Sequence, residues 1–227
     1  LLAHEAQFGL LRGDVHVAAQ IVDGRDLVAA GYCRFHDALG NARLSAFNIE
    51  RALRLFERTG DPRKILLAKY WKLKVSLRYR KMEEVMPEME ALLSEAKQQQ
   101  DTGLLVRLHQ TLASQNAMMS QYGKMAEHLD ALEALVASNP LIENRTRYQM
   151  LIAKGRGDLA WGIEHLEEAK RFYLSTLLLS QTLPDHWIEI QCLQVLAELE
   201  WGLGNRSSAK SYLVQAHNLA EERQLDD

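Results

Sequence analysis

Two tryptophans sit in the same local setting 40 residues apart, Leu159-Ala160-Trp161-Gly162-Ile163 and Leu199-Glu200-Trp201-Gly202-Leu203. An indole offers a large rigid apolar face and one hydrogen-bond donor, which suits a sugar ring, a planar effector or an apolar peptide side chain. Asp158, Gln194 and Glu198 lie close by in sequence and could orient such a guest. Arg34, Lys74 and Lys154 add cations able to hold a carboxylate or a phosphate. Gln110 and Gln121 complete the candidate set. Two plainer readings stand beside this one. A repeated aromatic slot is commonly a packing position, so both indoles could wedge between helices. The charges could form a solvated mixed-charge face.

Other chemistry finds little support in the residues. The eight histidines, His4, His16, His36, His109, His128, His165, His186 and His217, are scattered. They include no His-Glu-x-x-His and no Cys/His cluster with metal spacing. His128 and His165 are expected early in their helices, on the surface. No glycine-rich phosphate loop or Walker A occurs, and Ser94 and Ser175 lie in helical stretches without a nucleophile turn. The expectation is a non-enzyme with no cofactor and no metal in this chain. Arg12-Gly13-Asp14 and Arg156-Gly157-Asp158 read as scaffold, as repeat-equivalent helix or turn positions. The glycosylation-type triplets at Asn144 and Asn205 are discounted because no signal peptide is visible. The basic run Arg78-Tyr79-Arg80-Lys81 reads as a solvated turn, since no second basic strip aligns with it.

The elements that must position these residues recur with the tryptophans. The 40-residue offset carries Ala169-Lys170 onto Ala209-Lys210, Phe172 onto Tyr212 and Tyr173 onto Leu213. Leu203-Gly204-Asn205 also matches Leu39-Gly40-Asn41, and an offset of 43 carries Lys81-Met82 onto Lys124-Met125. Turns are therefore expected at 40, 80, 123, 164 and 204, at steps of 40, 43, 41 and 40. Each unit reads as helix A, a short turn, helix B and a loop. In helix B apolar residues recur three and four apart, as at Ile49, Ala52, Leu53 and Phe56. Breakers separate the units at Gly60-Asp61-Pro62, Asp101-Thr102-Gly103, Asn139-Pro140 and Leu183-Pro184-Asp185. Pro87 is expected in the first turn of a helix B, where its missing N–H costs little. A further turn near Gly13 stands only 27 residues before Gly40, so the first unit has a short helix B or has lost residues.

A near-constant step of this size is the mark of a helical-repeat array. The expected fold is all-α, a single domain over residues 1–227 forming a right-handed superhelix of roughly five to six helix pairs. Helix A residues would line its concave wall. The composition agrees, with 47% apolar and 25% charged residues, only four prolines and 13 glycines, and a net charge of −3. No global basic field points to nucleic acid or an anionic membrane. No window is long and apolar enough to span a bilayer. Cys33 and Cys192, two lone thiols, suit a reducing compartment, here the cytoplasm.

Small residues at the close helix crossings give the pattern a family likeness. The last copy supplies Ala197, Gly204, Ala209, Leu213 and Ala216, and the one before it Gly157, Glu164, Ala169, Tyr173 and Thr176. This resembles the tetratricopeptide repeat over nearly the whole chain, with a longer step than that family's. The paired Lys and Asn with which some of its members clamp peptide C-termini find no match here. The longer step, with Leu10-Leu11-Arg12-Gly13-Asp14-Val15 near the start, looks like the repeat sensor region of MalT-like transcription activators. That resemblance implies a fragment of a longer bacterial LuxR-type protein, with ATP and DNA handled by modules absent here. The partner is then a small-molecule effector or a protein, and exposed apolar end helices would allow a homodimer. The alternative is a constitutive adaptor that holds a partner's peptide in its groove. A peptide-pheromone receptor module is a third possibility.

Overall fold

The structure, a computed structural model, describes residues 42–183 and 186–222. The turns expected at 13 and 40, with Arg34 and Cys33, lie outside the described residues. Among those described, nine helices and no strands are found: α1 (Ala42–Thr59), α2 (Pro62–Ser76), α3 (Met82–Gln98), α4 (Thr102–Met118), α5 (Tyr122–Ser138), α6 (Arg145–Gly162), α7 (Leu166–Ser180), α8 (His186–Gly202) and α9 (Arg206–Glu222). This is an all-α, tetratricopeptide-like helical-repeat fold in which α2, α4, α6 and α8 are A helices and the others B helices. The chain divides into two compact units, Leu1–Leu108 and His109–Asp227, with the boundary inside α4.

In the first unit, Gly60 takes a positive φ of 72° and Asp61 then caps α2. The Asp61 carboxylate accepts from the N–H groups of Arg63 and Lys64 at 3.1 and 3.2 Å, and Pro62 opens the helix where no N–H is needed. α1 buries Ala52 and Phe56 against Ala68 of α2. α3 buries Val85, Met89, Leu92, Leu93 and Ala96, a stripe at three- and four-residue steps. Two ion pairs tie α2 to its neighbours, Lys72–Glu50 at 3.0 Å and Lys69–Glu95 at 2.7 Å. Pro87 departs from expectation. It is the sixth residue of α3, exposed and beyond the first turn, so the Glu83 carbonyl has no N–H to accept from at that position.

The second unit is built around one cluster: Met150 and Ala160 of α6, Ala169 and Tyr173 of α7, and Ile188, Cys192, Leu196 and Leu199 of α8. Ala169 is fully buried because α7 crosses its neighbours closely there. α9 docks through Ala216 against Ile190 and Leu193. Burial pushes the Cys192 thiol up to about 12.

One turn device closes several helices. At Glu164 (φ 64°) the His165 N–H donates to the Ala160 carbonyl at 2.8 Å, and the Glu164 N–H donates to that of Trp161 at 2.9 Å. This is a Schellman motif, which satisfies carbonyls that the helix end leaves open. It recurs at Gly204, Ser120 and Gln100, each with positive φ. The turn expected at Tyr122-Gly123-Lys124 therefore lies earlier, at residues 119–121. Gly123 sits in the first turn of α5, and Gln121 is the residue before that helix rather than part of an A helix.

Candidate binding face

The tryptophan stripes come from helical spacing. Lys154, Asp158 and Trp161 follow one another at four and three residues on α6, as do Gln194, Glu198 and Trp201 on α8. Side chains so spaced share a helix face. The opposite faces carry the core, so each stripe is the rim of a packed helix.

The two stripes differ in state. On α8, Gln194, Glu198 and Trp201 are all exposed, Trp201 at 62%. The Arg206 guanidinium lies 5.3 Å from the Trp201 ring centroid and covers part of it by a cation–π contact. On α6 the three residues are half-buried and joined. Lys154 Nζ donates to both Asp158 oxygens, at 2.9 and 3.2 Å. The buried Tyr173 hydroxyl donates to Asp158 Oδ1. Burial first, and then the Asp158 carboxylate beside it, hold the Tyr173 phenol well above its usual range, so it stays a donor. Trp161 packs on the core cluster and meets the Tyr173 ring edge-on, with centroids 6.5 Å apart. Trp161 is thus largely a packing residue and Trp201 a surface one, although the sequence gives them one slot.

Glycines permit these contacts unequally. A Cβ on Gly157 would lie 3.0 Å from the Tyr173 ring, and one on Gly162 would overlap the Tyr122 ring. Gly202, the repeat partner of Gly162, has only a Leu166 methyl at 4.0 Å.

Behind the α8 stripe lies a buried charge the sequence reading passed over. The Glu200 carboxylate, with the residue 3% exposed, accepts from Lys170 Nζ on α7 at 2.7 Å and from Asn205 Nδ2 at 2.7 Å. The Lys170 bond, then that of Asn205, outweighs burial and holds the Glu200 carboxyl below the usual range. Glu200 in turn raises the Lys170 ammonium. The pair fixes α8 to α7 and to the turn that leads into α9. One signal pointed to it: an offset of 40 places Glu200 on Ala160, a core slot.

The other candidates fall elsewhere. Lys74 is exposed on α2, its ammonium 5.2 Å from the Trp71 ring and 5.7 Å from the Tyr70 ring. Gln110 is half-buried on α4. Arg156 bonds Asp130 at 2.5 Å and Glu133 at 2.9 Å across to α5, as a scaffold residue should. His165 is exposed as expected, but His128 is not: it is 8% exposed and its Nδ1 lies 3.0 Å from that of the buried His109. The offset of 43 already aligned His128 with Val85, a core residue, and a neighbouring imidazole lets a histidine fill that slot. Among the described residues no three His, Cys, Asp or Glu side chains converge as a metal site would require, and no helix is long and apolar enough to cross a membrane.

No family profile matches the sequence, and no curated protein matches it. Solved structures do match. BtubC from P. vanneervenii aligns with a TM-score of 0.65 at 12% identity, over 96% of this chain and 93% of its own. A Podosopora anserina protein with nearly identical TPR-like repeats aligns at 0.60 and 14% identity, over 87% and 95%. A signal transduction ATPase with numerous domains from Pyrococcus horikoshii, which carries a tetratricopeptide repeat sensor, aligns at 0.62 and 16% identity. The alignment covers 93% of this chain and 34% of that protein. At these identities the likeness is one of fold, and the fold it shows is the tetratricopeptide-like helical repeat.

Proposed function

We propose that this chain is a non-catalytic sensor domain of a larger bacterial transcription regulator, binding an effector or a partner on the A-helix stripes. The observation that carries the reading is the exposed row Gln194, Glu198 and Trp201 beside the bonded Lys154–Asp158–Tyr173 set. An open indole flanked by an amide and a carboxylate can both stack and orient a guest. The sensor role of the repeats in the P. horikoshii protein supports it. Binding would favour one arrangement of the repeats and so bias ATPase and DNA-binding modules elsewhere in a cytoplasmic parent protein. Self-association through α9, where Leu213 and Val214 are exposed, is a second way to transmit the signal.

Native mass spectrometry against metabolite and peptide panels identifies the guest, and tryptophan emission follows its binding. Trp201→Ala should abolish the interaction while changing unfolding free energy by less than about 0.5 kcal/mol. Trp161→Ala should cost about 2–3 kcal/mol instead, because it empties part of the core. A guest that binds the Trp201→Ala protein as tightly as the parent rules this face out. A guest found only among peptides, with no change in self-association, favours the constitutive adaptor.

A further inference from the structure

Leu213 of α9 stands in a slot that three earlier B helices bury. Offsets of 40, 41 and 43 carry it back onto Tyr173, Leu132 and Met89, each at most 1% exposed, whereas Leu213 is 53% exposed. The cover over Tyr173 comes from the next A helix, through Ile188, Cys192 and Leu196 of α8. No A helix follows α9 among the described residues. The same offsets carry His217 onto Leu177, Val136 and Leu93, so a neighbouring slot is apolar in every copy but the last. The face that α9 leaves open is therefore apolar at its middle and polar beyond it, unlike the face the earlier copies offer to a following repeat.

Charge is sorted by sign along this face. Arg206, Lys210, Leu213, Val214, His217 and Glu221 are all exposed and fall within about 100° of one another around the helix. The two cations occupy its first half, Leu213 and Val214 its middle and Glu221 its end. Such an order is complementary to itself when reversed. A second α9 laid antiparallel, with the twofold axis between Leu213 and Val214, sets Leu213 of each copy against Val214 of the other. Arg206 then comes level with Glu221 of the second copy, and Lys210 lies within about one turn of that carboxylate. A parallel pairing would set cation against cation and carboxylate against carboxylate. The cation–π contact of Arg206 with Trp201 uses none of its N–H donors. Glu221 already lies 3.3 Å from His217 of its own helix, and a carboxylate accepts from several donors at once.

We propose that α9 pairs antiparallel with α9 of a second copy of this chain, as an isologous homodimer contact. The proposal rests on the self-association included in the function proposed above, and needs no guest on the α8 stripe. Apolar residues at the centre supply the attraction, and the charges at the two ends set the direction of pairing. A 17-residue helix is about 25 Å long, so the contact is at the small end of specific interfaces and the dissociation constant is on the order of 10 µM.

The test is analytical ultracentrifugation of the full chain from about 1 µM to about 1 mM, where a monomer–dimer equilibrium is expected. Leu213→Glu should weaken the dimer by at least about ten-fold, with unchanged far-UV circular dichroism because the residue is exposed. Arg206→Glu and Glu221→Arg should each weaken it by about three- to ten-fold, and the doubly reversed chain should recover the parent's affinity. Residues 206 and 221 stand about 22 Å apart on one helix, so that recovery can arise only between copies. A chain that stays monomeric throughout overturns the proposal and leaves the face to a helix of another protein or of a longer parent. A dimer indifferent to Leu213→Glu, or a double reversal no tighter than either single change, also overturns it. Tryptophan emission with a guest is read separately. A monomeric chain that binds its guest sinks this contact alone, and a dimer that binds none leaves the contact standing.

Discussion

Glu200 shows what single residues contribute here. A carboxylate at a core slot is tolerable only because Lys170 and Asn205 reach it. Glu200→Gln removes the charge and leaves Lys170 without its partner, so unfolding free energy at pH 7 should fall by about 1–3 kcal/mol. The folded carboxyl is held below its unfolded value of about 4.3, so its stabilisation is complete above that pH and disappears as pH drops through the folded value. The gap between parent and variant, measured by urea unfolding, should therefore close below about pH 4. A gap that stays constant from pH 7 to pH 3 would show that the ion pair is not its source. Residue-level readings were the least legible in the sequence. Asp158 stood out as a wall carboxylate, but its bond to the Tyr173 hydroxyl joins two helices and leaves no local pattern. Glu200 and His128 did leave one, a polar type aligned with a core slot in another copy.

Helices and turns were read more reliably, because each is set by neighbours in sequence. The turns at 164 and 204 fall where expected. The third was misplaced because Gly123 attracts a turn reading, whereas the left-handed position belongs to Ser120. Only glycine enters that region without cost, and three of the four Schellman turns described above use Gln100, Ser120 or Glu164 instead. Glu164→Gly should accordingly raise unfolding free energy by about 0.5–1 kcal/mol, the left-handed penalty less glycine's greater chain entropy. Thermal and urea unfolding of the variant measure it, and a loss of stability would mean that the Glu164 side chain makes a contact worth more than the strain. Pro87 marks the limit of such reading. Its type signals a helix start, but the stripe from Val85 to Ala96 holds the helix around it.

At the scale of the whole molecule the fold was the most legible feature, because one statement is made several times over. The last two copies repeat the same small residue at the crossing, Ala169 and Ala209, and the two copies before them bury Val85 and His128 in that slot. Contacts between neighbouring copies dominate such a chain, so stability should be divided along its length. Leu196→Ala empties a fully buried position in α8 and should cost about 2–5 kcal/mol. Hydrogen exchange should then quicken across α6–α9 and leave α1–α3 nearly unchanged. Equal acceleration in both units would show one cooperative block instead. Which molecule meets the face is not written in this periodicity. Repetition specifies packing, whereas selectivity for a guest on the proposed face would rest on residues that break it, such as Arg206 over Trp201, where the preceding copy has Leu166.

The unequal surroundings of Gly162 and Gly202 have a practical outcome. The first position admits nothing beyond hydrogen, while the second opens onto solvent next to Trp201. A cysteine installed at 202, with Cys33 replaced by serine, would be the accessible thiol there, since Cys192 is buried and hard to ionise. A fluorescent dye coupled at that point would sit at the edge of the indole and signal occupancy optically, without a prior guess at what the occupant is.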